Sequence, residues 1–265
     1  MEDEKFNILV LKKKALIFGN SLEHNPITSC KIKSEIDYNE YVFCENIIFV
    51  LETDLYFKHM NLSFNFGKYF NHLKGPENKI ESFNVPQTNE INEECFYYKK
   101  FSEIKTELEK RNKKIFFLES SLCASLGHGK TYSLVINPQD NKIYISVIIN
   151  GFIKCVKYFE NFIEKDFESF RSKNIDFLDF LHIVLVNQPI LLTQIIFTGN
   201  NNVVNKEYIE KYLLSKFELE KNDAYMKRLK ILSDLTYDSF LGASVLSSIE
   251  NFKNIDPKIN NFVDL

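Results

Sequence analysis

The chain has 265 residues, 45% of them hydrophobic and 26% charged, and a formal net charge of −3. That length predicts one large domain or two lobes and buries roughly 70–75% of the unfolded surface without disulfide or metal staples. The charge gives no electrostatic ground for binding nucleic acid or an anionic membrane, and 25 Phe with 13 Tyr exclude a disordered chain.

In chain order, Ile8–Leu11, a Lys12-Lys13-Lys14 turn and Ala15–Gly19 predict two strands around a tight reversal. Tyr41 to Leu51 is a second β-patterned stretch, and Tyr56 to Leu73 predicts a helix stopped by Gly75-Pro76. A strand over Lys79 to Val85 and a polar loop over Asn84 to Glu94 follow. Phe101, Ile104 and Leu108 predict a helix ending near Lys110-Arg111-Asn112, and Ile115–Leu118 reads as a buried strand. A short helix through Leu126 turns at Gly127-His128-Gly129 into a strand over Tyr132 to Ile136. A turn over Asn137 to Asn141 then leads into Ile143–Ile149. Phe159, Phe162, Ile163, Phe167 and Phe170 fall at helical spacing and predict a core-packing helix face. Strand pairs alternating with helices give an α/β class.

Motifs for chemistry are sparse. Ala124 to Thr131 satisfies a relaxed phosphate-loop pattern, but such a loop must leave a strand and open a helix. Here a helix precedes it and a strand follows, so the match is read as a decoy. The five histidines never pair with each other or with cysteine at metal-ligand spacing. No Gly-x-Ser-x-Gly or His-Glu-x-x-His is present. Five scattered cysteines favour reduced thiols over a disulfide framework. The acidic start lacks a secretory pattern and no apolar run reaches a membrane-span length. An intracellular globular protein is expected.

Four segments resemble actins and actin-related proteins, in the order that family uses. Tyr237 to Phe252 matches the family's near-C-terminal Tyr-x-x-Trp-Ile-Gly-Gly-Ser pattern, with Phe240 for the Trp and Ala243 for a Gly. Gln194–Asn201 is similar to the strand ending in Ser-Gly-Gly-Thr, and Ile115 to Phe152 resembles the central strand, helix and strand pair. Tyr69–Leu73, Gly75-Pro76 and Lys79–Pro86 resemble the helix, Pro turn and strand ahead of it. The resemblance implies an actin-like, ribonuclease-H-like fold of two lobes in a single unit spanning 1–265. Subdomain 1 falls on 1–33, 65–127 and 237–265, a reduced subdomain 2 on 34–64 and subdomain 3 on 128–236. Only 43 residues separate Gly151 from Ile195, so subdomain 4 is deleted.

The departures bear on function. Family members hold ATP between two hairpin turns rich in Gly, because a Cβ would block the phosphates. The first turn is reduced to Lys12-Lys13-Lys14, and of the second only Asp140 survives. The glutamine that positions water falls on Ser120. Gly199 persists beside the base with Asn200 as its neighbour, and the adenine-side lysine falls on Thr236. The resemblance therefore implies no catalysis, no metal and lost ATP binding, with Asp140 and Gly199 as vestiges of the cleft. Keeping subdomains 1 and 3 while losing the pointed-end face describes a filament cap, since open filaments need two complementary faces on every subunit.

The expectation is a non-catalytic subunit capping the pointed end of dynactin's actin-related filament. It would be cytoplasmic and cytoskeleton-associated, partnered by the filament subunit and other dynactin components, and unable to polymerise alone. A partner groove would be lined by Leu126, Gly127, Thr131, Leu246 and Ile249. The alternatives are an actin-related subunit of a nuclear chromatin-remodelling or histone-modifying complex, and a nucleotide-dependent enzyme of the actin–sugar kinase superfamily.

Overall fold

The computed structural model describes residues 6–12, 15–20, 28–31, 44–60, 93–139, 142–160, 162, 164–198, 206–233 and 238–248. They form a mixed α/β structure with two five-stranded sheets, each in its own compact unit. Among the described residues the first unit takes 6–60, 93–129 and 238–248, and the second takes 130–233.

In the first unit, β1 (Phe6–Lys12) and β2 (Ala15–Asn20) form a hairpin in which Lys12 faces Ala15. β3 (Thr28–Lys31) pairs antiparallel to β2. β4 (Asn46–Leu51) adds parallel to the other side of β1, and β5 (Lys114–Glu119) parallel to β4. Strands buried on both faces read as continuous apolar runs, and Asn-Ile-Ile-Phe-Val-Leu of β4 is buried throughout. One face packs Ile8, Val10, Ile48 and Val50 against Cys123, Phe240 and Ala243. These three lie on α3 (Ser120–Gly127) and α8 (Asp238–Ser247). On β4 the alternate residue Phe49 meets Phe101 of α2 (Glu93–Lys110) with ring centroids 5.5 Å apart, and His59, ending α1 (Thr53–His59), meets Phe117 at 4.4 Å. Period-two alternation thus sends β4 side chains to helices on opposite faces.

The second unit repeats the order. β6 (Ser133–Gln139), β7 (Lys142–Ile149) and β8 (Phe152–Glu160) form consecutive antiparallel pairs. β9 (Ile195–Phe197) and β10 (Ile231–Ser233) then add in parallel on the free side of β6. Between them lie α4 (Phe167–Lys173), α5 (Ile175–Asn187), a 3-10 turn (Pro189–Thr193), α6 (Lys206–Leu219) and α7 (Asp223–Arg228). The core joins Leu134, Ile136, Ile145 and Phe197 to Phe177, Leu181, Leu213 and Phe217. Each sheet therefore runs third, second, first, fourth, fifth strand of its own set.

Several sequence expectations change. The turn expected over Asn137 to Asn141 begins later, because Asn137, Pro138 and Gln139 stay in β6 opposite Tyr144, Ile143 and Lys142. Pro138 is accommodated because pairing with β9 ends at Ile136, so among the described residues it has a single neighbouring strand. The aromatic run from Phe159 is not one helix. Phe159 belongs to β8, and the helix starts only at Phe167, where the Asp166 carboxylate accepts from the Ser169 N–H at 2.9 Å as an N-cap. Phe170 is buried and Phe159 and Phe167 pack on the core, but Phe162 is 39% exposed. Of the helix expected over Tyr56 to Leu73, α1 is described as far as His59. The remainder, the strand over 79–85 and most of the loop over 84–94 lie outside the described residues.

Candidate functional site

In open α/β sheets, ligands collect beyond the carboxyl ends of the parallel strands. In the first unit Leu11, Leu51 and Glu119 lie level with one another across β1, β4 and β5. Past that level come Lys12, Thr53 and the Ser120-Ser121 start of α3. Glu119 is 1% exposed. One carboxylate oxygen accepts from the Thr53 hydroxyl at 2.6 Å and the other from the Leu122 N–H at 2.9 Å. The Thr53 and Ser121 hydroxyl oxygens are 3.3 Å apart. Burial raises the Glu119 pKa, opposed by hydrogen bonds from Thr53, Ser121 and Leu122. The same burial, with Glu119 nearby, pushes the Cys123 thiol well above its ordinary range. A carboxyl so enclosed works as the N-cap of α3 and as the tie between β5 and the start of α1. Ser120, where the family's water-positioning glutamine would fall, is buried, and its carbonyl faces the Ser239 hydroxyl at 3.4 Å.

α3 and α8 meet at backbone distance. A Cβ on Gly127 would lie 2.2 Å from the Asp238 carbonyl oxygen, and one on Gly242 would lie 1.7 Å from that of Cys123. Each helix contributes one glycine where the other's backbone passes. At the end of α3, His128 Nε2 sits 2.9 Å from Asp238 Oδ2. The N–H groups of His128 and Gly129 are spent on the Ala124 and Leu126 carbonyls. The 124–131 segment is thus a helix C-cap leading into β6, with those donors unavailable to a phosphate.

The expected groove residues are distributed as follows. Leu126 and Gly127 are half-buried at the end of α3, with Gly127 against α8. Leu246 is half-buried and packs on the first unit's core, while Val245 beside it is 49% exposed. Thr131 is exposed and belongs to the second unit. Ile249 lies outside the described residues, as do Asp140, Gly199 and Thr236.

The matching level of the second unit passes through Ile136, Phe197 and Ser233. Beyond it lie Asn137 and Thr198, both buried. Thr198 donates its N–H to the Ile136 carbonyl at 2.9 Å, and its hydroxyl reaches the same oxygen at 3.3 Å. At the register of Glu119 the second unit has Ser233, a hydroxyl in place of the carboxyl, with an amide and a second hydroxyl one residue further along the neighbouring strands.

Sequence reasoning singled out Ser120 and passed over Glu119, Thr53, His128 and Asp238. A carboxylate ending an apolar strand directly before Ser-Ser was the readable signal for Glu119. The His128–Asp238 pair spans 110 positions and has no local signature. Among the described residues no group of three His, Cys, Asp or Glu is placed to hold a metal, and no helix is long and apolar enough to cross a membrane. No family model matches the chain. No curated protein matches it either.

Proposed function

We propose that the chain is a non-catalytic, actin-like subunit of a multiprotein assembly, and specifically a cap for the pointed end of the dynactin actin-related filament. The observation that carries this reading is the repetition of one strand order in two units, with a hairpin at the same place in each. β1–β2 and β6–β7 are the positions at which an actin-like protein presents its two phosphate turns. Here two residues separate the strands in each case, Lys13-Lys14 and Asp140-Asn141, and neither pair contains glycine. A phosphate needs closely approaching N–H groups, which glycine-free two-residue connections are poorly suited to supply. That supports loss of nucleotide chemistry and leaves binding to other subunits as the role.

On this reading the first unit is subdomain 1 with a reduced subdomain 2 near 34–64, the second is subdomain 3, and the protein works in the cytoplasm. The partner contact in the first unit would use Leu126 and the exposed side of α8. Val245→Asp tests it better than a change at Leu246, which packs on the core.

The experiment is purification of the tagged chain from its own cells, with co-purifying subunits identified by mass spectrometry. Dynactin or dynein components support the capping role, and Val245→Asp is then expected to reduce their recovery while leaving the unfolding midpoint nearly unchanged. Remodelling subunits and histones move the protein to the nucleus and overturn capping. Stoichiometric nucleotide in the purified chain overturns the non-catalytic reading.

A further inference from the structure

Asn150-Gly151 is the one Asn-Gly pair in the sequence. It forms the two-residue connection between β7 and β8, with Ile149 opposite Phe152. Both residues have positive φ, 55° and 76°, the pattern of a type I′ hairpin turn, which Asn-Gly favours. The same dipeptide carries a chemical liability. A following glycine has no Cβ to hinder its nitrogen from approaching the asparagine side-chain carbonyl. Asn150 is exposed, so water reaches the turn.

Two contacts hold the reacting groups apart. The Gly151 N–H donates to the Thr131 carbonyl at 2.8 Å, so the nitrogen that would attack has its proton engaged elsewhere. The Tyr132 hydroxyl donates to Asn150 Oδ1, which fixes the side-chain amide. Thr131 and Tyr132 are the residues that lead into β6, so both contacts tie the turn to the same stretch of chain. Attack requires Gly151 to leave Thr131 and the Asn150 side chain to rotate from Tyr132.

We propose that Asn150 is a latent deamidation site whose conversion is gated by opening of the 131–132/150–151 contact. In the open state the Gly151 nitrogen, losing its proton to solvent base, forms a bond to Asn150 Cγ. The bond from Cγ to the side-chain nitrogen breaks, and ammonia leaves with a proton returned from solvent. Water then opens the resulting cyclic imide at either carbonyl, yielding aspartate or isoaspartate. The net change is one water consumed and one ammonia released, with no redox partner. Isoaspartate adds a main-chain carbon, which a two-residue I′ turn cannot absorb without shifting the β7–β8 register. Conversion therefore marks the hairpin permanently.

The test incubates the full chain at mildly alkaline pH and follows the Asn150 peptide by mass spectrometry. Isoaspartyl methyltransferase labelling identifies the isomer. Three samples are compared: the native chain, the native chain with Tyr132→Phe, and the chain unfolded in urea. The unfolded chain sets the ungated rate. The native chain is expected to convert far more slowly. Tyr132→Phe should convert about fivefold faster than the native chain, the change in open population that loss of one typical hydrogen bond produces. Hydrogen exchange at the paired amides of β7 and β8, away from the turn, checks that the variant remains folded. Native conversion at the unfolded rate overturns the gate, and so does a folded Tyr132→Phe chain that converts no faster than the native one.

Discussion

At the carboxyl end of its parallel strands the first unit carries a buried carboxyl, Glu119, whereas the second carries Ser233 at the matching level, with the buried Asn137 and Thr198 one residue beyond it. Their helices differ as much. α3 and α8 cross through Gly127 and Gly242 with backbone touching backbone. α5 and α6 bury large side chains, Phe177, Leu181, Leu213 and Phe217, against their sheet. One strand order is thus built from two kinds of interior. Strand order follows from connectivity and apolar patterning, which tolerate much substitution, while the chemistry at the strand ends is set residue by residue.

The comparison breaks most sharply through volume. Phe217 is fully buried, with His182 and Tyr225 rings 5.4 and 5.5 Å away. Phe217→Ala should cost about 3–5 kcal/mol through lost transfer energy and a cavity, read as a lowered urea midpoint. The first unit should fail in the opposite sense. Gly242→Ala adds one methyl that would overlap the Cys123 carbonyl, costing about 3 kcal/mol because backbone must move. An Ala at position 242 tolerated within about 0.5 kcal/mol, the range of ordinary surface changes, would mean that α3 and α8 are not held at that distance.

Glu119 gives a smaller, pH-dependent effect. Glu119→Ala removes the acceptor for the Leu122 N–H and the Thr53 hydroxyl and should cost about 1–2 kcal/mol. The wild-type carboxyl has a folded pKa above its ordinary 4.5. Its contribution is therefore fully present below 4.5 and is lost as pH rises through the folded value. Glu119→Gln should abolish that component, so the stability difference between the two chains must change across that window and level off above it. A difference independent of pH would show that the carboxyl is not enclosed.

Elements with continuous apolar runs or strong turn chemistry were readable from sequence. β1, β2, β5, β7 and α2 all stand close to where their patterns predict them. Three kinds of feature were not readable. Pro138 looked like a turn residue, yet it stays in β6 opposite Ile143, past the point where the described pairing with β9 ends. The Phe159–Phe170 spacing imitated a helix because strand and helix residues of one aromatic-rich segment fall at intervals near 3.6 by composition alone. Long-range ties such as Thr53–Glu119 and His128–Asp238 depend on which chain ends the fold brings together. Local pattern carries no information about that.

Asp179 in the second unit provides the weakest and most selective test. It lies on α5, accepts from the Tyr212 hydroxyl of α6, and stands 3.1 Å from Lys216 Nζ. Partial burial works to raise its pKa, but the Tyr212 hydrogen bond and the Lys216 charge outweigh it and hold the carboxyl below its ordinary 3.8. The sign is opposite to that of Glu119: this stability is present above 3.8 and is lost as pH falls through the folded value. The phenol mirrors it. Burial, and then the bond to Asp179, push Tyr212 from 10.0 up to about 12, so the contact weakens again as pH rises through that value. Asp179→Asn should cost about 1 kcal/mol or less at neutral pH, because water screens a half-exposed pair. Its cost should vanish at both extremes. Measured with Glu119→Gln, the pair sharpens the contrast: on acidification the advantage of wild type over Asp179→Asn shrinks, while Glu119 gains relative to its amide. Parallel responses would mean that the two carboxyls share one environment, which their burial and partners forbid.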